Sequence, residues 1–225
     1  MKVVKAWRSP SGGLSIKMPI LNSGAKWPMQ DNEKAAAVHL DANQKRNKLM
    51  HEQVFIGLGS NEPNPAKGSP VEQIKAAIKV LAEQPDIEMV GASSLYVSTP
   101  MGPQNQDDFI NAVAHVRCNC SADALLDILQ SIEQQFGRQR KQERWGPRTL
   151  DLDILMFDQQ IIQTKRLTIP HYGIAEREFV LVPLFELVPE MVMSDGRPIS
   201  AWVANCSLKG LRRLRAEQPA QEQTA

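Results

Sequence analysis

VFIGLG, residues 54–59, is a short apolar run closed by glycine and reads as a buried strand. Ser69-Pro70-Val71-Glu72 downstream has the form of a capping box, with proline at the first helical position. Behind it Val71, Ile74, Ile78 and Leu81 fall on one helical face, and Pro85 follows the helix end. Residues 87–97 and 108–117 read as strands, with turn chemistry at 99–103 between them. Ser121 can cap a second helix carrying Leu125, Ile128, Leu129, Ile132 and Phe136, with Gly137 as its stop. Residues 150–157 form one more strand, and two apolar pieces follow at 179–188 and 199–203. The order β-α-β-β-α-β is that of an α+β fold with a ferredoxin-like split βαβ core, an antiparallel sheet with helices on its faces.

Outside this region the sequence changes character. Residues 1–50 hold nine Lys and Arg against three Asp and Glu, while the rest hold seventeen against twenty-two, within a net charge of +1. The first 49 residues have no sustained apolar period. They read as a disordered extension, or as the result of a start codon chosen too early, with Met50 opening the functional unit. The domain is thus expected at 50–208, with a frayed, charged, Gln-rich tail at 209–225. Cys118, Cys120 and Cys206 do not make a disulfide framework and fit a reducing, cytoplasmic setting. No apolar run is long enough to span a bilayer, and near-neutral charge argues against a whole-molecule nucleic-acid or membrane binder.

The chemistry concentrates in RQRKQERWGPRTLDLD, residues 138–153. Its first part places Arg138, Arg140, Lys141, Arg144 and Arg148 in a loop against Glu143 alone. Its end places Asp151 and Asp153 on a strand, where side chains two apart point the same way. Adjacent carboxylates repel unless a cation joins them, and Mg²⁺ takes one or two carboxylates together with phosphate oxygens and water. Arginines beside them clamp phosphates bidentately, so the stretch reads as a triphosphate site. A D-x-D alone is usually a solvated strand end, and a basic run alone a solvated loop. Their junction within sixteen residues, around Trp145-Gly146-Pro147, favours the functional reading.

Residues 143–155, ERWGPRTLDLDIL, resemble the signature of the hydroxymethyl-dihydropterin pyrophosphokinase family of folate biosynthesis. GLGSN (57–61), SSLYVSTPMGPQNQDDFINAV (93–113) and RLTIPHY (166–172), with Arg177 and Phe179 beyond, resemble further family blocks in the same order, over about residues 52–205. The resemblance implies attack of a pterin hydroxymethyl oxygen on the β-phosphorus of ATP, with AMP leaving. It implies two Mg²⁺ ions on Asp151 and Asp153, and Arg138 and Arg148 neutralising the reacting phosphates. Gln130, Glu133, Arg140, Arg144, Arg166, Thr168, His171, Tyr172 and Arg177 match further nucleotide contacts. For the pterin it implies stacking on Phe179, closure by Trp145, a hydrogen bond from Asn111, and contacts from Phe109 and from backbone near Ser98, Pro100 and Met101.

Ser98 stands where the family pattern has threonine, the loop at 62–69 is long, and the extension has no family counterpart. The loop's like charges lead us to expect mobility without ligand and entry of nucleotide before pterin. A monomer is expected, with ATP and reduced pterin as its partners and neither nucleic acid nor membrane. The alternative is a non-catalytic RNA- or nucleotide-binding split βαβ module, against which stand the net negative charge after residue 50 and the absence of paired aromatics on a central strand.

Overall fold

The computed structural model describes residues 50–138, 146–208 and 210–215. Strand β1 (His51–Ser60) is central, pairing antiparallel with β4 (Phe109–Cys118) on one side and β5 (Asp151–Phe157) on the other. The far edge of β4 is shared by β2 (Ile87–Ala92) and β3 (Tyr96–Ser98), which gives the expected split βαβ strand order. The sequence suggests one strand over 87–97, but two serines divide it. The Ser93 hydroxyl takes the Val113 N–H at 3.0 Å, and the Ser94 N–H and hydroxyl both turn to Glu186. Serine side chains that capture backbone and neighbouring groups compete with a regular ladder.

Helix α1 (Pro70–Ala82) starts at the expected capping box, in which Glu72 Oε2 accepts the Ser69 N–H at 2.7 Å. Helix α2 (Ala122–Gln135) is capped by Ser121 and stops at Gly137, whose φ of +78° suits glycine. Ile74, Ala77 and Leu81 of α1 join Leu125, Leu129 and Ile132 of α2 against Ile56, Leu58, Leu152 and Ile154. This is the main core, on one face of the sheet.

The two apolar pieces left unassigned by periodicity are helices, α3 (Glu178–Leu187) and α4 (Ile199–Asn205). They pack on the opposite face, where Val180, Leu181, Leu184 and Ile199 meet Phe55, Val113 and Leu155. Between β5 and α3 run the short pair β6 (Ile162–Gln163) and β7 (Thr168–Ile169) and a 3₁₀ turn at Ile174–Glu176. Of the tail expected to fray over 209–225, the described residues 210–215 include a short strand. Strand β8 (Arg212–Arg213) pairs with β3, and Arg213 reaches Ser94 and Glu186. Edge pairing and these charged contacts hold a segment that looks solvated from its composition.

Candidate functional site

The cleft lies on the α3 side of the sheet. In the ladders Gly57 pairs with Asp153, and Gly59 with both Asp151 and Asn111. Paired residues share a face, so Asp151, Asp153 and Asn111 project together from a floor that two glycines leave bare. The space above has a volume of about 280 Å³. A methyl group on Gly59 would already touch Asn111 Oδ1 at 3.6 Å.

One wall is ionic. Asp151 Oδ1 meets Arg138 Nη1 at 2.8 Å, and its Oδ2 meets Arg148. Arg138 also pairs with Glu133, which is 5% exposed and accepts the Leu152 N–H at 2.8 Å. Burial pushes the Glu133 carboxyl up to about 7, against the opposing pull of Arg138. Against the effect of its own burial, Asp151, Glu133 and Asp153 raise Arg138 above its usual range.

Asp153 behaves differently. Its side chain is 46% exposed, and that exposure faces the cleft. The protein surrounding the cleft floor pushes its carboxyl up to about 6, with Asp151 adding repulsion. His171 Nε2 lies 3.9 Å from it. Burial first, and Arg177 second, push this imidazole down to about 4, so it is neutral at pH 7. His171 Nδ1 accepts the Gly173 N–H at 3.1 Å, which leaves the ring proton on Nε2, toward Asp153.

The other wall is aromatic and amide. Arg177 lies over the rings of Tyr172 and Phe179, at 5.2 and 5.9 Å. Asn111 is buried, and its Nδ2 donates to Ser98 Oγ at 2.9 Å and to the Phe109 carbonyl at 3.4 Å. Its amide N–H groups are thus turned into the protein, and its Oδ1 lies beside Gly59. The hydroxyl of Ser98, which stands where the family pattern has threonine, is the buried acceptor of that bond.

Ser98, Met101, Phe109, Asn111, Arg138, Arg148, Asp151, Asp153, His171, Tyr172, Arg177 and Phe179 all line this cleft. Several expected residues do not. Pro100 is buried beside it, its carbonyl taken by Gln104. Gln130 and Thr168 are not lining residues, and Arg166 pairs with Asp127 on α2. Glu133 is not a lining residue; it pairs with Arg138, which is, and accepts the N–H of Leu152 in the main core. Arg140, Arg144 and Trp145 lie outside the described residues. Gly57, Gly59, Thr99 and Gln106 line the cleft without having been singled out. The two glycines carried a legible signal, because glycine within a strand marks close approach of a ligand or another backbone.

The stretch of chain that builds this cleft is similar to known proteins. Residues 55–189 match the family model described as 7,8-dihydro-6-hydroxymethylpterin-pyrophosphokinase. A 2-amino-4-hydroxy-6-hydroxymethyldihydropteridine pyrophosphokinase of Pseudomonas aeruginosa is 44% identical over 165 residues, covering 73% of this chain and 98% of that one. The enzyme of the same name from Haemophilus influenzae is 48% identical over 149 residues, covering 66% and 89%. A crystal structure titled as HPPK-DHPS in complex with substrates superimposes with a TM-score of 0.51 at 14% identity, over 68% of this chain and 43% of that longer one, which supports the fold.

Proposed function

The chain belongs to the 7,8-dihydro-6-hydroxymethylpterin-pyrophosphokinase family, and from that premise we propose that it transfers pyrophosphate from ATP to 6-hydroxymethyl-7,8-dihydropterin in folate biosynthesis. The hydroxymethyl oxygen forms a bond to the β-phosphorus, the bond from that phosphorus to the α-phosphate bridging oxygen breaks, AMP leaves, and the hydroxyl proton passes to water. The observation that carries this reading is the cleft's division of labour. Carboxylates and arginines converge on one wall, and a buried amide and aromatic rings on the other.

The residues suit magnesium. Asp151 and Asp153 project side by side into the cleft, and burial, with Asp151 adding repulsion, holds the Asp153 carboxyl above its ordinary range, a cost that a divalent cation relieves. Asp151 and Asp153 would hold two Mg²⁺ ions, which when bound neutralise and orient the polyphosphate. Arg138 and Arg148 turn from Asp151 to the reacting phosphates. Positioned charge of this kind supplies most of phosphoryl-transfer catalysis. Neutral His171 donates its Nε2 proton to a phosphate oxygen, and Arg177 and Tyr172 flank it. Phe179 and Phe109 sandwich the pterin ring, and Asn111 Oδ1 accepts from its edge. Met101 and backbone near Ser98 close that end, and Arg140, Arg144 and Trp145 cover the bound nucleotide and pterin.

We read the protein as a cytoplasmic monomer whose partners are ATP and reduced pterin, with no nucleic acid or membrane. Its three thiols are free, and no helix among the described residues is long and apolar enough to cross a membrane. The deciding assay is nucleotide product from Mg-ATP with and without 6-hydroxymethyl-7,8-dihydropterin. Pterin-dependent AMP is expected. ADP, or AMP formed equally without pterin, overturns the reading.

Gly59→Val tests the bare floor. Its Cβ would meet Asn111 Oδ1 at 3.6 Å and Asp151 Cβ at 3.9 Å, ordinary contacts, so the strand should keep its fold. The added methyls fill the space between the two walls. Calorimetric titration is expected to show pterin affinity falling by about tenfold or more, with a cooperative melt retained. Wild-type affinity would place the pterin elsewhere.

A further inference from the structure

Asn61 follows the last residue of β1 and is 2% exposed. Its side chain is fully engaged, and its partners come from two segments that line the cleft, one around Arg148 and one around Gln106. On the ionic side, Oδ1 accepts the Arg148 N–H at 2.8 Å. The Arg148 carbonyl accepts the N–H groups of Asn61 and Glu62 at 3.0 and 3.1 Å, and Ser60 Oγ donates to the Thr149 carbonyl at 2.6 Å. On the other side, Nδ2 donates to Gln106 Oε1 and to the Asp107 carbonyl, both at 3.0 Å. Gln106 lines the cleft and braces its own loop by donating to the Pro103 carbonyl at 2.9 Å. A buried asparagine is often no more than a satisfied polar group. This one joins the backbone of an arginine aimed at the acidic pair to the loop that follows Met101.

We propose that Asn61 is a positioning residue that couples the nucleotide side of the cleft to the pterin side. The proposal rests on the pyrophosphokinase reading above. When Arg148 leaves Asp151 for phosphate, its peptide shifts with it. Asn61 passes that shift to Gln106 and Asp107, so that bound nucleotide sets the loop against which the pterin docks. A ligand alters a distant affinity only through an element whose arrangement both ligands bias, and here that element is the segment around Arg148 and its link through Asn61.

Asn61→Asp separates the two halves of the link. A carboxylate still accepts the Arg148 N–H. It cannot donate, and it turns an oxygen toward the Asp107 carbonyl and the Gln106 amide oxygen. The measurement is titration of the full-length chain with 6-hydroxymethyl-7,8-dihydropterin, with and without Mg²⁺ and a nonhydrolysable ATP analogue. In the wild type the analogue is expected to strengthen pterin binding. In Asn61→Asp the analogue should bind within about twofold of wild type, while pterin binding in its presence weakens about tenfold, the scale of one or two lost hydrogen bonds. In steady state KM for pterin should rise while KM for ATP holds. A wild-type coupling ratio in the variant, or no coupling in the wild type, overturns the proposal. If Asn61→Asp loses its cooperative melt, Asn61→Ser, which is too short to reach Gln106 and Asp107 from its place beside Arg148, cuts the same link, and an unchanged ratio there overturns the proposal. Wild-type protein that makes no pterin-dependent AMP removes the underlying activity instead. AMP formation alongside an unchanged variant ratio removes only the role of Asn61.

Discussion

Asp153→Ala is expected to lower turnover by about 10²–10³-fold or more, the scale of removing one group that stabilises transition-state charge, while leaving the fold and melting temperature nearly unchanged. The two halves of this expectation have separate causes. The Asp153 side chain is 46% exposed and lies 3.9 Å from a neutral imidazole, so little packing is lost. Burial first, and Asp151 beside it second, hold its carboxyl at about 6, so deletion removes a desolvated charge and relieves repulsion. Its value is realised only when magnesium and polyphosphate are present. Single-turnover AMP formation and a thermal melt of the same sample check both halves. Wild-type turnover at saturating Mg²⁺ would remove Asp153 from the metal site. A collapsed melt would make it a structural residue.

Glu133→Ala is expected to act in the opposite way, through the fold first. Glu133 is 5% exposed and bridges Arg138 and the Leu152 N–H, so its loss orphans a buried donor and removes one of the two carboxylates that hold Arg138, leaving Asp151 as the other. Leaving such a donor unpaired costs about 1–3 kcal/mol. Chemical denaturation should register this loss, and turnover should fall with it because Arg138 loses one of its two anchors. Glu133→Gln keeps an acceptor for Leu152 and isolates the charge. Burial holds the folded carboxyl at about 7 against an ordinary value of 4.5, so the folded state binds the extra proton. The stability this contributes is fully present below 4.5 and is lost as pH rises through 7. Stability measured across that window should slope downward less steeply in Glu133→Gln than in wild type. An identical slope would assign the proton elsewhere. Resemblance suggested Glu133 as a nucleotide contact, and the geometry gives it the holding of Arg138 and the outer edge of β5.

Much of this was legible in the sequence. The helices α1 and α2 announce themselves because each carries a cap, a stop and a single apolar face, three local signals that agree. Asp151 and Asp153 could be placed on one face because strand side chains alternate, whatever surrounds them. The helix α3 was not readable from pattern. EFVLVPLFEL is apolar at nearly every phase and holds Pro183, so no period distinguishes helix from strand. The division of 87–97 into two strands depends on Ser93 meeting Val113 and Ser94 meeting Glu186, neither of them a sequence neighbour. The resemblance puts Arg166 in the phosphate set, and that it also pairs with Asp127 on α2 depends on a contact between residues far apart in the chain.

The sequence alone determined the order of elements, the pairing of two carboxylates with an arginine loop, and the family blocks that name the chemistry, since all three rest on short-range spacing. The tertiary structure decided which of those residues share a cleft. Registers of β1 with β4 and β5 set Gly57 and Gly59 against Asp153, Asp151 and Asn111, and no spacing rule within one strand specifies its partner's register. It also decided that Asn61 stands between Arg148 and Gln106. A hydrogen bond between residues far apart in the chain exists only once the chain has closed the intervening loops, and only then does burial make it count.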